Sequence, residues 1–167
     1  MSHACIATPF GVLTVFADDD ALVALEWGRA ASEETTPLLQ DAIEQLGRYF
    51  DGDLRCFDLP LRPSGSAFQR RAWDLMATIP YAATRTYGDL AHELGTSPRA
   101  LAGACAGNPL PIIVPCHRVV AAHGQLGGYS GGDGIDTKRA LLRLEGATFP
   151  PAPLDLLDLN SRHGSEP

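Results

Sequence analysis

Apolar and polar positions change their spacing several times along the chain, and each change marks an element. Between residues 5 and 27, apolar runs are cut by Pro9-Phe10-Gly11 and Asp18-Asp19-Asp20, turn signals that predict two or three strands. Val12, Thr14 and Phe16 alternate with Leu13 and Val15, so the inward face stays open. Residues 28–36 are polar and read as a loop. Thr36 followed by Pro37 predicts a helix cap with proline at the first helical position. Leu38, Leu39, Ala42, Ile43, Leu46, Tyr49 and Phe50 then recur at helical spacing, and Gly52 is a stop. Residues 54–59 predict one more strand before the break at residues 60–65.

The pattern resumes at Ser66-Ala67-Phe68-Gln69, a capping box. Phe68, Ala72, Leu75, Met76 and Ile79 form one stripe that ends before Pro80, and Trp73 reads as core rather than a base-stacking platform. Thr86 caps and Gly95 ends a short helix; Ser97-Pro98 opens another that Gly107 closes. Two short helices joined by a tight glycine turn predict a helix-turn-helix. In the second, Leu101 and Cys105 are expected to face the core. Ala100, Ala102, Gly103 and Ala106 leave the other face bare. Such a face has nothing with which to read base edges, but it permits close approach to a groove wall. The same residues also read as an ordinary small-residue helix. Residues 127–132 are a glycine loop around Tyr129, either a wrap for a planar ligand or a plain surface turn. Thr137 is expected to cap a last helix over 138–145, and Gly146 to end it. A proline-rich tail over 150–167 is expected to be poorly ordered.

The predicted fold class is α+β. A small N-terminal sheet-and-helix domain over 1–61 precedes a mostly helical domain over 62–149 that holds the helix-turn-helix. Apolar content of 45% and charged content of 20% are globular values. No apolar run reaches transmembrane length and no leader pattern opens the chain, which leads us to expect a cytoplasmic protein without membrane contact. Cys5, Cys56, Cys105 and Cys116 lack metal-ligand spacing, so neither a metal site nor a disulfide framework is expected. Net charge is −7. Yet residues 62–143 carry nine Arg or Lys against five Asp or Glu, while both flanks are acidic. A basic segment in an acidic chain suits a modest number of phosphate contacts.

Chemistry concentrates in residues 108–120. Ile112, Ile113 and Val114 read as a short buried strand bracketed by Pro111 and Pro115, which delivers Cys116 at a break in the chain. A thiol beside His117 and Arg118 is expected to have a lowered pKa. Neighbouring side chains do not face each other on a strand or helix, so His117 reaches Cys116 only through a tight turn or a water. The plain alternative is a buried structural cysteine beside a surface histidine.

Pro115-Cys116-His117-Arg118-Val119, with Asn108-Pro109 upstream, resembles the active-site signature of the O6-alkylguanine-DNA alkyltransferases, the methylated-DNA–protein-cysteine methyltransferases. The likeness runs from about Phe68 to Gly146 and more loosely to the N-terminus. It implies DNA repair by irreversible, single-turnover transfer of an alkyl group to Cys116 from O6-alkylguanine, with O4-alkylthymine a second substrate, and no cofactor. It implies that His117 acts through a water, that Glu145 orients His117, and that Asn108 braces the turn. It assigns Tyr87 to nucleotide rotation and proton donation, Arg99 to the gap in the base stack, and Ala100, Ala102 and Gly103 to the DNA face. Pro111, Val119, Tyr129 and Ser130 match the base pocket. It further implies that the partner is double-stranded DNA carrying alkylated guanine, bound by a monomer.

This chain departs from the family pattern in three places. Tyr87 and Arg99 are closer together than usual because Gly95-Thr96-Ser97-Pro98 is short. Ala102 stands where glycine is common, and residues 133–137 form a longer connection. Two rival readings remain at this stage: a non-catalytic sensor of alkylated DNA, whose known forms lack the cysteine, and a Cys-His hydrolase, for which no oxyanion donor pair is evident.

Overall fold

The computed structural model describes residues 1–32 and 34–147; the expected tail over 150–167 lies outside them. The architecture is α+β. Strands β1 (Ser2–Thr8), β2 (Gly11–Asp18) and β3 (Ala21–Trp27) form an antiparallel sheet in that order. The ambiguous alternation of β2 resolves as burial of both faces. Leu13 and Val15 are sealed in the core. Thr14 is equally buried because the chain beyond β3 folds over it: its hydroxyl donates to the Gly28 carbonyl at 2.6 Å, and the Ala30 amide donates back to it.

Helix α1 (Pro37–Phe50) starts where Thr36 accepts from the Leu39 amide, and buries Leu39, Ala42 and Leu46 on the sheet. The strand expected over 54–59 does not form. Asp58 is instead clamped by Gln45, whose amide oxygen accepts from its N–H and whose amide nitrogen donates to its carbonyl. Only Leu61 reaches the edge of β3: Leu22 donates to the Pro60 carbonyl, and Arg62 donates to the Leu22 carbonyl. Pro60 and Pro63 have no N–H with which to extend the ladder.

Helix α2 (Ala67–Ala77) carries the capping box, with Ser66 and Gln69 exchanging bonds of 3.1 and 2.9 Å. Trp73 is core, its indole N–H donating to the Ala104 carbonyl. A two-residue strand, β4 (Arg85–Thr86), leads into α3 (Tyr87–Leu94). Gly95 then turns left-handed at φ 68°, and α4 (Pro98–Ala106) follows behind its Ser97 cap. Leu101 packs inward as expected, but Ala104 accompanies it. Cys105 lies a further 100° around the helix and is only half-buried.

Strand β5 (Val119–Val120) pairs in parallel with β4. The last helix, α5 (Ile135–Leu144), begins before the expected position. Thr137 sits inside its first turn, and its hydroxyl accepts from the Asp133 amide, so it ties down the preceding loop rather than capping the helix. Beyond the sheet, Leu25 donates to the Pro109 carbonyl at 2.8 Å. That bond holds the loop before Cys116 against β3. Among the described residues, no helix is long and apolar enough to cross a membrane.

Candidate active site

Residues 110–116 are not a strand. They are buried but wound into consecutive tight turns: Val114 donates to the Leu110 carbonyl, and Cys116 donates to the Val114 carbonyl across Pro115 at φ −81°, ψ 64°. The latter is an inverse γ-turn. Ile112 takes φ 76°, a strained value for a β-branched residue. Asn108 holds the loop from inside, accepting from the Leu110 amide at 3.0 Å and donating to the Val114 carbonyl at 2.9 Å. The expected strand fails because two prolines and a left-handed residue leave no regular ladder.

Cys116 opens one 3-10 turn, Cys116–Arg118. Only 5% of it is exposed. It nevertheless lines a cavity of about 380 Å³ with Tyr87 of α3, Ala102, Cys105 and Ala106 of α4, and Tyr129 and Ser130 of the glycine loop. Cys116 therefore borders an open space beside the paired helices.

Behind Cys116 the turn separates its two neighbours. His117 is fully buried and shares a 2.7 Å hydrogen bond between its Nε2 and Glu145 Oε2; its Nδ1 has no partner among the described side chains. Arg118 does not sit beside the thiol, as expected from adjacency. It turns onto Glu145 with two bonds, 2.8 and 3.0 Å, and donates a third to the Ile79 carbonyl. Tyr49 of α1 donates to Glu145 Oε2 at 2.7 Å, and the Ala82 amide donates to Oε1 at 3.3 Å.

Both expected domains thus supply this carboxylate. Two family models match. The one described as "6-O-methylguanine DNA methyltransferase, DNA binding domain" covers residues 67–147, and the one described as its "ribonuclease-like domain" covers residues 1–63. The chain belongs to the O6-methylguanine DNA methyltransferase family. It is 41% identical to the methylated-DNA–protein-cysteine methyltransferase of Mycolicibacterium paratuberculosis, across 95% of this chain and 99% of that one. Identity to the enzyme of the same name from Methanosarcina acetivorans is 37%, across 88% and 99%. Among solved structures, Mycobacterium tuberculosis OGT in complex with DNA superposes with a TM-score of 0.77 at 40% identity, across 87% and 93%.

In this family member, burial and hydrogen bonding pull the titrations in different directions. Burial pushes the Glu145 carboxyl up, but the bonds from His117 and Arg118 outweigh it and hold it at about 2. Burial lowers the pKa of His117 despite Glu145, so the imidazole is neutral. Burial also raises the Cys116 thiol, against the opposing pull of Asn108 and Lys138. The lowered thiol pKa expected from adjacency is therefore not found: Arg118 is neutralised by Glu145, and His117 is uncharged.

Lys138 was not singled out from the sequence. It is wholly buried, and its ammonium donates to the Tyr87 hydroxyl and to the Gly128 carbonyl, both at 3.2 Å. Burial brings its pKa down to about 8. Tyr49 was missed as well, because helical spacing marked it only as core. The sole signal for Lys138 was a cation early in a helix, against the helix dipole.

Arg99 is exposed in the first turn of α4, without a side-chain hydrogen bond or ion pair among the described residues. Ala100 is half-buried beside it, and Ala102 and Gly103 are exposed, with open space where a Gly103 side chain would stand. Val119 is fully buried in β5, paired with Arg85. Pro111 lines a second cleft that also reaches Cys116.

Proposed function

We propose that this protein repairs DNA by moving an alkyl group from O6 of guanine to Cys116, once per molecule, as a cytoplasmic monomer without a cofactor. The observation that carries the reading is the Cys116 thiol bordering a base-sized cavity, backed by a buried His117–Glu145 pair. The relatives named above are methyltransferases acting on DNA and a protein cysteine, and one solved relative holds DNA.

The damaged nucleotide turns out of the duplex into the cavity, which costs a few kcal/mol. Arg99 projects from the bare face of α4 and fills the gap left in the stack. Ala100, Ala102 and Gly103 allow the groove wall to approach closely. Tyr129, Ser130 and Pro111 wall the base and its alkyl group, and Val119 supports the floor from β5. The thiol proton passes through one bridging water to Nδ1 of His117. Glu145 stabilises the resulting imidazolium, as the acid of a catalytic triad does.

The sulfur bonds the alkyl carbon, and the C–O6 bond breaks with its electron pair left on guanine. Tyr87 then gives that guanine a proton, which an anionic leaving group needs near neutral pH. The product is a thioether, which the site cannot hydrolyse. Residues 62–149 carry this chemistry; residues 1–61 brace it through Tyr49 and β3.

Incubation with duplex DNA containing O6-methylguanine is expected to add one methyl to the intact mass, localised to Cys116. Cys116→Ser removes the transfer and keeps DNA binding. A serine variant that still demethylates would overturn the assignment. A native protein that binds methylated DNA without gaining mass would favour the sensor reading.

A further inference from the structure

The segment that looks like a strand over 54–59 has no sheet partner, and its apolar side chains face a cavity instead. Arg55, Phe57, Leu59 and Leu61 fall at every second position, and all four line that cavity. Alternate positions are the ones an extended chain turns to one face. Phe57 and Leu59 are half-buried, and Leu61 is 37% exposed, unusual for a large apolar residue among those described. The space measures about 380 Å³ and shares no lining residue with the two spaces that reach Cys116. Its other walls belong to the second unit: Ile79 and Tyr81 follow α2, and Ile113 and Pro115 come from the turn before Cys116.

The charge around this space has one sign. Two guanidiniums line it and no carboxylate does. Both lie over the Tyr81 ring, Arg55 at 5.3 Å and Arg118 at 5.7 Å from its centroid. Arg118 is committed, with its bonds going to Glu145 and to the Ile79 carbonyl. Arg55 is exposed and has no hydrogen bond or ion pair among the described residues. The aromatic contact holds it at the rim while its N–H fork stays open, and that fork matches a carboxylate. Apolar walls with one placed charge are what a small-molecule site requires. At ~30 Å³ for each water-sized group, the cavity holds roughly a dozen, the size of decanoate.

We infer that this cavity binds a small apolar carboxylate, with its chain against Phe57, Leu59 and Ile113 and its head group on Arg55. The site goes beyond alkyl transfer and does not depend on it. Because both units supply its walls, a guest binds only when they are docked. Occupancy therefore stabilises the docked chain by mass action. Pro115 and Arg118 also place the guest directly behind the turn that carries Cys116.

Cys56 is exposed on the wall of the cavity and serves as the reporter. The test follows its alkylation by N-ethylmaleimide, mapped by peptide mass, in the full chain with decanoate, decanol or decylammonium. Decanoate below its micelle concentration is expected to protect Cys56 and not Cys5, and to bind at least tenfold more tightly than decylammonium. Arg55→Gln, at an exposed position, should weaken decanoate about fivefold, remove the salt dependence of its binding and leave decanol unchanged. Ala77 is exposed at the end of α2 and lines the same space. Ala77→Leu narrows it and should weaken decanoate and decanol at least tenfold while methyl transfer stays within twofold. Equal affinity for decanoate and decylammonium, or decanoate binding untouched by Arg55→Gln, overturns the carboxylate preference. Equal protection of Cys5 and Cys56, or binding untouched by Ala77→Leu, overturns the site. A dimer in sedimentation runs that Leu61→Asp abolishes would give the groove to a second copy of the chain and overturn the small guest.

Discussion

Burying several titratable groups beside one sulfur makes stability rise with pH at both ends of the scale. Glu145 titrates at about 2 when folded against an ordinary 4.5. Its contribution is therefore complete above pH 4.5 and is lost as pH falls toward 2. His117, held below its ordinary 6.5, adds to the loss once pH drops under that value. We expect urea midpoints to decline below pH 6.5 and to steepen below 4.5. Glu145→Gln should flatten the lower limb and cost about 3–5 kcal/mol at pH 7, because it leaves the buried Arg118 without its counter-charge.

Lys138 acts in the same sense at the alkaline end. Its folded pKa of about 8 lies under the free value of 10.5, so between those values the folded protein releases a proton that the unfolded chain keeps. Stability contributed at this position rises through that window. Lys138→Met, close in shape, should raise stability at pH 7 by about 1–2 kcal/mol and abolish the alkaline rise. Urea melts at pH 7 and pH 10 check both statements.

Among the elements, the loop between α4 and the 3-10 turn departs most from its sequence pattern. Three successive β-branched or apolar residues signal a strand, yet the chain coils. The reason lies in Asn108, whose side chain supplies the hydrogen bonds that a neighbouring strand would otherwise give. Asn108→Ala should cost about 1–3 kcal/mol by leaving the Leu110 amide and Val114 carbonyl unpaired. It should slow transfer more than its effect on folding explains, since Cys116 then loses its fixed exit direction; comparing melts with single-turnover rates tests this. Elements whose signals are local were legible: Thr36, Ser66, Thr86 and Ser97 all cap helices where the sequence places them. Elements set by distant partners were not. Residues 54–59 look like a strand but meet Gln45 instead of an open edge. The pairing of β4 with β5 joins dipeptides more than 30 residues apart, beyond the reach of any periodicity.

Over the whole molecule, residues adjacent in sequence turn to different partners. The imidazole of His117 and the carboxylate of Glu145 meet directly, behind the turn that carries the thiol. Arg118, placed beside the thiol by number, serves the carboxylate instead. The two units are joined at three places that matter for chemistry: Leu25 to Pro109, Trp27 to the glycine loop, and Tyr49 to Glu145. A chain lacking residues 1–61 should therefore unfold at lower urea and transfer methyl at least tenfold more slowly, as circular dichroism and single-turnover assays on residues 62–167 would show.

Tyr49 reaches across 96 positions to a single oxygen atom. Anyone recombining halves of related repair proteins inherits that dependence. A donor half with phenylalanine at the matching place would fold around the same helix, yet return a carboxylate one bond short. Compatibility between halves thus depends on this hydroxyl as well as on the contacts that β3 makes.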